Sequence, residues 1–265
     1  MYISNSIWKI HTDATASETE RSLTQYNNWF YVFQFTNGVS TLAPNQLTNI
    51  IHQTRADLIF PFLDQYLDNK WDNVNCLDIA CNQGWFTTQV GLRGAKSVIG
   101  FDIRADHLAY ASTIKSLANL ENVTYSKLNL FDVIDDHLGR FEITFFLGLL
   151  YHLENPMGAL RKVRSLTKKI CVIETQVAKA ASDLEMLNGS DLNIKRGSGI
   201  GVFPSDDTHA EGGVSVVLVP TLNALYQMLY AVGFDRVYLA VPPKNMYVQY
   251  PDFDRVILFA QVLND

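Results

Sequence analysis

From residue 74 onward, short apolar segments alternate with segments of helical periodicity, and this alternation constrains the fold more than any other feature of the chain. Alternation of this kind is typical of a parallel sheet that is covered by helices on both faces. We therefore predict an α/β, doubly wound, mostly parallel sheet. The predicted strands are Val74–Ile79, Ser97–Phe101, Val123–Leu128, Phe141–Leu147, Ile170–Glu174, Val237–Ala240 and Arg255–Val262, and the predicted helices are Trp85–Leu92, Ala105–Leu120, Pro156–Leu166 and Thr221–Val232.

The first 45 residues differ from the rest of the chain. Trp29–Phe35 is aromatic and β-prone, Asn37-Gly38 follows it, and Val39–Leu42 is a second β-prone segment. An Asn-Gly pair between two such segments is a strong hairpin signal. We predict an N-terminal arm and β-hairpin extension at residues 1–45 and a main domain at residues 46–265. The hairpin is expected to be either an extra strand pair that covers the core or a lid over the active site.

A helix is predicted to begin near Leu47, because Ile50, Ile51 and Leu58 continue an apolar pattern with helical spacing. Pro61 lies further along the same pattern. Proline lacks an N–H group and its ring clashes with the preceding turn, so we expect Pro61 to break or restart this helix.

A glycine-rich insertion at about residues 180–219 interrupts the alternation. Six of the fifteen glycines lie between Gly189 and Gly213, and long loops in compact domains are usually functional or disordered. We expect this stretch to be mobile until the substrate binds. Four side chains in it could suggest a metal site, but they lack a fixed ligand spacing, so we interpret the segment as a solvated loop and predict no metal. These side chains are Asp206, Asp207, His209 and Glu211.

Composition limits the partners and the compartment. The 265 residues carry a formal net charge of −6, and an acidic chain repels a phosphate backbone, so nucleic acid is not the favoured partner. No apolar segment approaches the roughly 20 residues that span a bilayer, and no signal peptide is evident, so no membrane association is expected. The odd number of cysteines, Cys76, Cys81 and Cys171, suits a reducing cytoplasm.

The turn after the first predicted strand is the strongest candidate for a ligand site. In an open α/β sheet, ligands bind outside the carboxyl ends of the strands. A dinucleotide fingerprint needs three glycines in this turn, whereas Leu77–Phe86 contains only Gly84. Asp102 ends the second strand, where an acid can accept hydrogen bonds from both ribose hydroxyls. NAD enzymes share such an acid, but together with the glycine-poor turn it favours S-adenosylmethionine (SAM), which has no phosphate.

Three segments together resemble a known family. They are Leu77-Asp78-Ile79-Ala80-Cys81-Asn82-Gln83-Gly84, Gly100-Phe101-Asp102-Ile103 and Phe146-Leu147-Gly148-Leu149-Leu150-Tyr151-His152-Leu153-Glu154-Asn155-Pro156. This order is similar to that of class I SAM-dependent methyltransferases, and the last segment resembles their LYHLxxP subgroup. That subgroup includes small-molecule methyltransferases and the carboxymethyltransferase of the tRNA wobble uridine. The resemblance implies a seven-stranded Rossmann-like sheet with a final antiparallel hairpin.

The resemblance also implies roles for single residues. The methionine part of SAM would be surrounded by Asp78, Ala80, Cys81, Asn82 and Gly84. Asp102 would hold the ribose, and the adenine would be contacted by Ile103, Asn129 and Leu130. Leu147 and Gly148 would line the cofactor below the methyl group. The family usually has glycines where Ala80 and Asn82 stand, and it often has aspartate where Asn129 stands. These departures put the affinity and the adenine contact in question, but they do not abolish the pocket.

The candidate residues for chemistry follow the later strands. His152 is interpreted as a general base, as a group that orients the acceptor, or as a structural hydrogen-bonding residue. Tyr151 is expected to shape the acceptor pocket. Glu174 is expected either to contact the substrate or to lie at a solvated strand end. We predict methyl transfer to an O or N atom of a small molecule, such as a natural-product or sugar intermediate. Alkyl transfer to tRNA and a non-catalytic SAM-binding module remain the alternatives, and the oligomeric state is not predicted.

Overall fold

The computed structural model describes residues 8–133, 138–179, 198–204, 216–244 and 246–263. The chain divides into two compact units, Met1–Phe145 and Phe146–Asp265.

The first unit contains three parallel strands with helices that follow them. β1 (Asn75–Ile79) pairs with β2 (Ser97–Asp102), where Leu77 lies opposite Ile99, and β2 pairs with β3 (Val123–Lys127), both in parallel. β1 and β2 are largely buried, as expected for strands that helices cover, whereas Val123 is the one buried residue of β3. The elements in chain order are α1 (Ala16–Leu23), α2 (Gln46–Tyr66), β1 (Asn75–Ile79), α3 (Trp85–Leu92), β2 (Ser97–Asp102), α4 (Ala105–Leu117), β3 (Val123–Lys127), a 3-10 turn (Leu130–Asp132) and β4 (Phe141–Leu147), whose last two residues belong to the second unit.

The second unit is largely antiparallel. β9 (Arg255–Gln261) pairs with β5 (Thr167–Gln176) on one side and with β8 (Arg236–Leu239) on the other, antiparallel in both cases. Its elements after β4 are a 3-10 turn (Leu150–His152), α5 (Pro156–Leu166), β5 (Thr167–Gln176), β6 (Ile200–Pro204), β7 (Val216–Pro220), α6 (Leu222–Ala231), β8 (Arg236–Leu239) and β9 (Arg255–Gln261).

The strand order of the main sheet is β3-β2-β1-β4-β5-β9-β8. Along the chain, β2 and β3 are added on one side of β1, and β4 is added on its other side. Doubly wound folds form a ligand crevice where the strand order reverses in this way. The predicted α/β sheet of seven strands with an antiparallel end is therefore confirmed.

The predicted N-terminal β-hairpin is wrong. The Asn37-Gly38 turn does form, with Gly38 at φ 90°, but Gln34 and Ser40 make only an isolated bridge, and the described residues of this segment contain no strand ladder. Two backbone hydrogen bonds cross the turn, from the Phe35 amide to the Val39 carbonyl at 2.9 Å and from the Thr41 amide to the Phe33 carbonyl at 3.0 Å. The pairing goes no further, because the Phe33 amide donates to the Thr41 hydroxyl at 2.8 Å and not to a backbone carbonyl. Burial of the aromatic side chains of this segment favours an extended packed segment over a free-standing hairpin. Whether it acts as a lid stays a prediction.

Pro61 does not end its helix, contrary to the prediction. α2 runs from Gln46 to Tyr66 through Pro61, which is exposed on the outer face. The buried face continues across the proline with Ile59, Phe60 and Leu63. An internal proline costs about 3 kcal/mol, and burial of large apolar side chains at about 1.5–3 kcal/mol each offsets this cost.

The glycine-rich insertion contains structure that the sequence did not indicate. β6 and β7 pair in an antiparallel two-stranded sheet, with Gly201 opposite Val219. This small sheet, and not an N-terminal one, is the addition to the main sheet. Most of the stretch between Gly189 and Gly213, including Asp206, Asp207, His209 and Glu211, lies outside the described residues.

Candidate functional site

The turn after β1 in the first unit has an unusual backbone. Ala80, Asn82 and Gly84 adopt φ values of 56°, 53° and 74°, in the left-handed region that glycine normally supplies. Only Gly84 has no Cβ, and one added there would collide with the Tyr125 hydroxyl. The chain thus keeps the turn conformation that glycines favour although two of its three left-handed positions carry side chains.

Asp78 lies at the base of this turn and is only 3% exposed. Its Oδ2 accepts hydrogen bonds from the Thr87 amide at 3.1 Å and from the Thr87 hydroxyl at 2.6 Å. Burial raises the pKa of Asp78 to about 7, against the effect of the Thr87 hydrogen bonds, and the nearby Asp102 carboxylate raises it further. In this structure the carboxyl group therefore anchors the first turn of α3.

Asp102 ends β2 and is 1% exposed. Its Oδ2 accepts from the Asn82 amide at 2.9 Å, so it also fixes the turn after β1. Its Oδ1 accepts from the Arg104 amide at 3.0 Å and from Arg104 Nε at 3.1 Å. Arg104 was not predicted as a site residue, although an arginine two residues after an acidic strand end is a signal for such a contact.

The remaining predicted cofactor residues of the first unit differ from one another in their exposure to solvent. Cys81 and Leu130 are buried, Ile103 is half-buried and Asn129 is exposed. Burial raises the pKa of the Cys81 thiol, so the thiol stays protonated. Asn129 Oδ1 accepts from the Phe131 amide at 3.0 Å and caps the 3-10 turn, which an aspartate would also do.

The N-terminal segment holds the same turn from outside, through contacts that the sequence did not suggest. The Gln83 side chain accepts from the Phe30 amide at 2.7 Å and donates to the Asn28 carbonyl at 2.8 Å. Trp85 Nε1 donates to the Val32 carbonyl at 3.1 Å. The turn after β1 is therefore bound on several sides within the first unit.

In the second unit, the segment that follows β4 places Tyr151 and His152 side by side. Gly148 adopts φ 72°, and its amide donates to the Glu174 carbonyl at 2.9 Å. Leu147 and Gly148 are half-buried. The 3-10 turn then brings the rings of Tyr151 and His152 to 4.1 Å between centroids.

Tyr151 and His152 line a cavity of about 410 Å³ in the second unit. This volume lies in the range of small-ligand sites. Its apolar lining comes from Val177, Ala178, Phe203, Pro204, Val217 and Val219, and its polar lining comes from Tyr151, His152, Gln176, Lys179, Gln249 and Asp254. Predicted residues and residues of the glycine-rich insertion thus contribute to one cavity.

Glu174 is not at a solvated strand end, because it is fully buried. Its Oε1 accepts from Arg255 Nη1 at 2.7 Å and from the Tyr250 hydroxyl at 2.9 Å. The Arg255 guanidinium also lies 5.1 Å from the centre of the Tyr151 ring. Arg255 was not predicted as a site residue, because it is 81 residues away from Glu174 in the sequence.

A methyltransferase domain family matches residues 70–214, which is more than half of the chain. The chain belongs to this methyltransferase family. The predicted class is thereby confirmed.

Among curated relatives, the tRNA U34 carboxymethyltransferase of Campylobacter hominis is 28% identical over 130 residues, covering 40% of this chain and 42% of that protein. The enzyme of the same name from Haemophilus influenzae (strain PittEE) is 26% identical over 185 residues, covering 64% and 51%. The chain spans about half the length of these curated relatives.

Solved structures share the fold at low sequence identity. The N-terminal domain of EvdMO1, crystallised with S-adenosylhomocysteine (SAH) and D-fucose, has a TM-score of 0.67 at 16% identity, covering 93% of this chain and 96% of that one. Magnesium protoporphyrin IX methyltransferase from Synechocystis PCC 6803 with bound SAM has a TM-score of 0.55 at 14% identity, covering 84% and 86%. Bound SAM and SAH in these neighbours agree with the predicted cofactor.

Within the described ranges, no three His, Cys, Asp or Glu side chains are grouped where they could hold a metal ion. Among the helices that the structure describes, none combines the length and the apolar character needed to cross a bilayer.

Proposed function

We propose that the chain binds SAM at the turn after β1 and transfers its methyl group to an O or N atom of a small hydroxylated molecule, such as a sugar or natural-product intermediate. The cavity of about 410 Å³ in the second unit carries this proposal. Its volume suits one small molecule, and its lining combines apolar side chains with polar ones that include Tyr151 and His152. Membership of the methyltransferase family supports the methyl transfer, and the EvdMO1 domain crystallised in the presence of D-fucose supports the acceptor class.

Most residues of the proposed cofactor site belong to the first unit. Asp102 would accept hydrogen bonds from the ribose hydroxyls, with Ile103, Asn129 and Leu130 around the adenine. Asp78, Ala80, Cys81, Asn82 and Gly84 would surround the methionine part, and Leu147 and Gly148 would line the cofactor near its methyl group. The buried Asp102 carboxylate supports this, since charge-assisted hydrogen bonds strengthen where water is excluded. SAM supplies the electrophilic methyl group.

His152 would act on the acceptor. An imidazole beside the acceptor can take the proton of a hydroxyl or ammonium group as the methyl group is transferred. It can instead only orient the acceptor, or it can stabilise the turn. If it is a base, His152→Ala should lower kcat by roughly 10²–10⁴. If it orients the acceptor, His152→Asn should retain activity and the loss should appear partly in KM. If His152 has a structural role, the main effect of His152→Ala should be a lower melting temperature.

The test has two stages. Calorimetry with SAH should first give a stoichiometric complex. Tritiated methyl transfer from SAM should then label one member of a panel of hydroxylated acceptors that contains D-fucose, with His152→Ala as the matched variant. Absence of SAH binding would overturn the proposal. SAH binding without transfer to any acceptor would favour the alternative of a non-catalytic SAM-binding module.

Alkyl transfer to tRNA is the second candidate, because the curated relatives quoted above are tRNA U34 carboxymethyltransferases. Against it stand the short coverage of those relatives and the net charge of −6, which disfavours a phosphate backbone. Label transferred from SAM to bulk tRNA, and not to the small-molecule panel, would establish it. The three cysteines are buried and none of them forms a disulfide, which supports our placement of the protein in the reducing cytoplasm.

A further inference from the structure

A buried ion pair lies next to the cavity of the second unit. Arg255 is 5% exposed and Glu174 is fully buried, and their atoms Nη1 and Oε1 are 2.7 Å apart. The Tyr250 hydroxyl donates to the same carboxylate oxygen at 2.9 Å. A buried pair with added hydrogen bonds holds its side chains in one geometry, since any rotation would leave a charge without compensation. The Arg255 guanidinium is therefore a fixed group.

Arg255 reaches two residues that line the cavity. Its Nε donates to Gln249 Oε1 at 3.1 Å, and its guanidinium carbon lies 5.1 Å from the centre of the Tyr151 ring, within the range of a cation–π contact. Gln249 and Tyr151 both line the cavity. Arg255 itself does not line it, so any effect on a bound molecule must pass through these two neighbours.

The direction of the Gln249 amide follows from this contact. A guanidinium can only donate hydrogen bonds, so it selects the oxygen end of the Gln249 amide. The –NH₂ end is then turned away from Arg255. We propose that Arg255 is a positioning residue that orients the Gln249 amide and the Tyr151 ring so that the acceptor cavity presents N–H donors to an oxygen atom of the acceptor. This inference rests on the proposed function and refines its acceptor to a molecule with such an oxygen.

The experiment measures the affinity of D-fucose by calorimetry in the presence of saturating SAH. Gln249→Glu is the decisive variant, because its carboxylate still accepts from Arg255 but it has no N–H to donate. We expect Gln249→Glu and Gln249→Leu to weaken D-fucose binding by about threefold to tenfold, which is the range for one hydrogen bond. SAH affinity should be unchanged in both. Arg164→Gln, which removes a guanidinium bound to the Gly233 carbonyl in the same unit, is the matched control and should bind D-fucose normally.

A double-mutant cycle separates positioning from a merely structural role. If Arg255 acts through Gln249, then Arg255→Gln combined with Gln249→Leu should bind D-fucose about as well as the weaker single variant. Additive losses, or wild-type affinity in Gln249→Glu, would overturn the inference. Absence of D-fucose binding to the wild-type SAH complex would overturn the acceptor chemistry, and failure of the wild type to bind SAH would instead contradict the proposed function. Melting curves check each variant, and Gln249→Glu leaves the ion pair intact if Arg255→Gln does not fold.

Discussion

The turn after β1 and the cavity of the second unit are built in different ways. The turn consists of consecutive residues from Ala80 to Gly84, and the carboxylates that fix it end neighbouring parallel strands. The cavity is lined by five separate stretches of chain between Tyr151 and Asp254. A local site depends on backbone conformation and on strand order. An assembled site depends on side chains that only the complete fold brings together.

The two regions also bury negative charge differently. In the turn, the Asp78 carboxyl group accepts from neutral groups of Thr87, and its pKa is raised to about 7. Beside the cavity, Glu174 is opposed by the positive charge of Arg255. The first arrangement lets the carboxyl group take up a proton, whereas the second requires both charges to remain. This contrast leads to four predictions, ordered from the largest expected effect to the smallest.

Loss of the Glu174 charge should have the largest effect. Glu174→Gln leaves the guanidinium of Arg255 buried without its counter-charge, which should lower the free energy of unfolding by about 3–5 kcal/mol. Urea unfolding monitored by circular dichroism measures this. The double variant Glu174→Leu with Arg255→Met should be less destabilised than Glu174→Gln, because no uncompensated charge remains. If Glu174→Gln had the stability of the wild type, the ion pair would not contribute to the stability of the second unit.

The stability contribution of Asp78 should change with pH in the opposite sense to an ordinary carboxylate. Its pKa is raised in the folded state, so between about pH 4 and pH 7 the folded protein holds a proton that the unfolded chain has lost. The contribution of Asp78 to stability should therefore fall as the pH rises through this window. Relative to the wild type, Asp78→Asn should gain on the order of 2 kcal/mol between pH 4.5 and pH 6.5. Urea titrations at these pH values give the difference, and a constant offset would contradict the raised pKa.

Asp102 tests the binding role of the turn. Asp102→Ala removes the acceptor proposed for both ribose hydroxyls, so SAH affinity should fall at least tenfold, or about 1.4 kcal/mol. Asp106→Ala is the matched control, because Asp106 is exposed on the first turn of α4 and should leave the affinity unchanged. Titration calorimetry measures both. Equal SAH affinities in the two variants would contradict the proposal that the cofactor binds at this turn.

The same contrast explains how far the sequence alone could be interpreted. α3 and α5 begin and end at the predicted residues, since their apolar pattern, glycine and proline signals are local. The seven-stranded sheet and the methyltransferase class followed from the strand alternation and the motifs. The Arg255–Glu174 pair could not be predicted, because no periodicity links residues that far apart. The predicted hairpin was wrong because only two backbone hydrogen bonds cross the Asn37-Gly38 turn. Beyond them the Thr41 hydroxyl bonds the Phe33 amide and the Tyr31 carbonyl, where a strand ladder would use backbone partners.

The smallest effect concerns the two non-glycine residues of the turn. Ala80 and Asn82 both adopt left-handed backbone conformations, which cost an L-residue roughly 1–2 kcal/mol, and less for asparagine. Ala80→Gly should therefore stabilise the protein by about 0.5–1 kcal/mol after the extra entropy of glycine in the unfolded chain is subtracted. Asn82→Gly should gain less, because Asn82 tolerates this conformation better and its Oδ1 accepts from the Gln83 amide at 2.7 Å. Thermal unfolding of both variants, side by side, gives the order. A larger gain at Asn82 than at Ala80 would mean that the asparagine side chain strains the turn, and that its hydrogen bond does not support it.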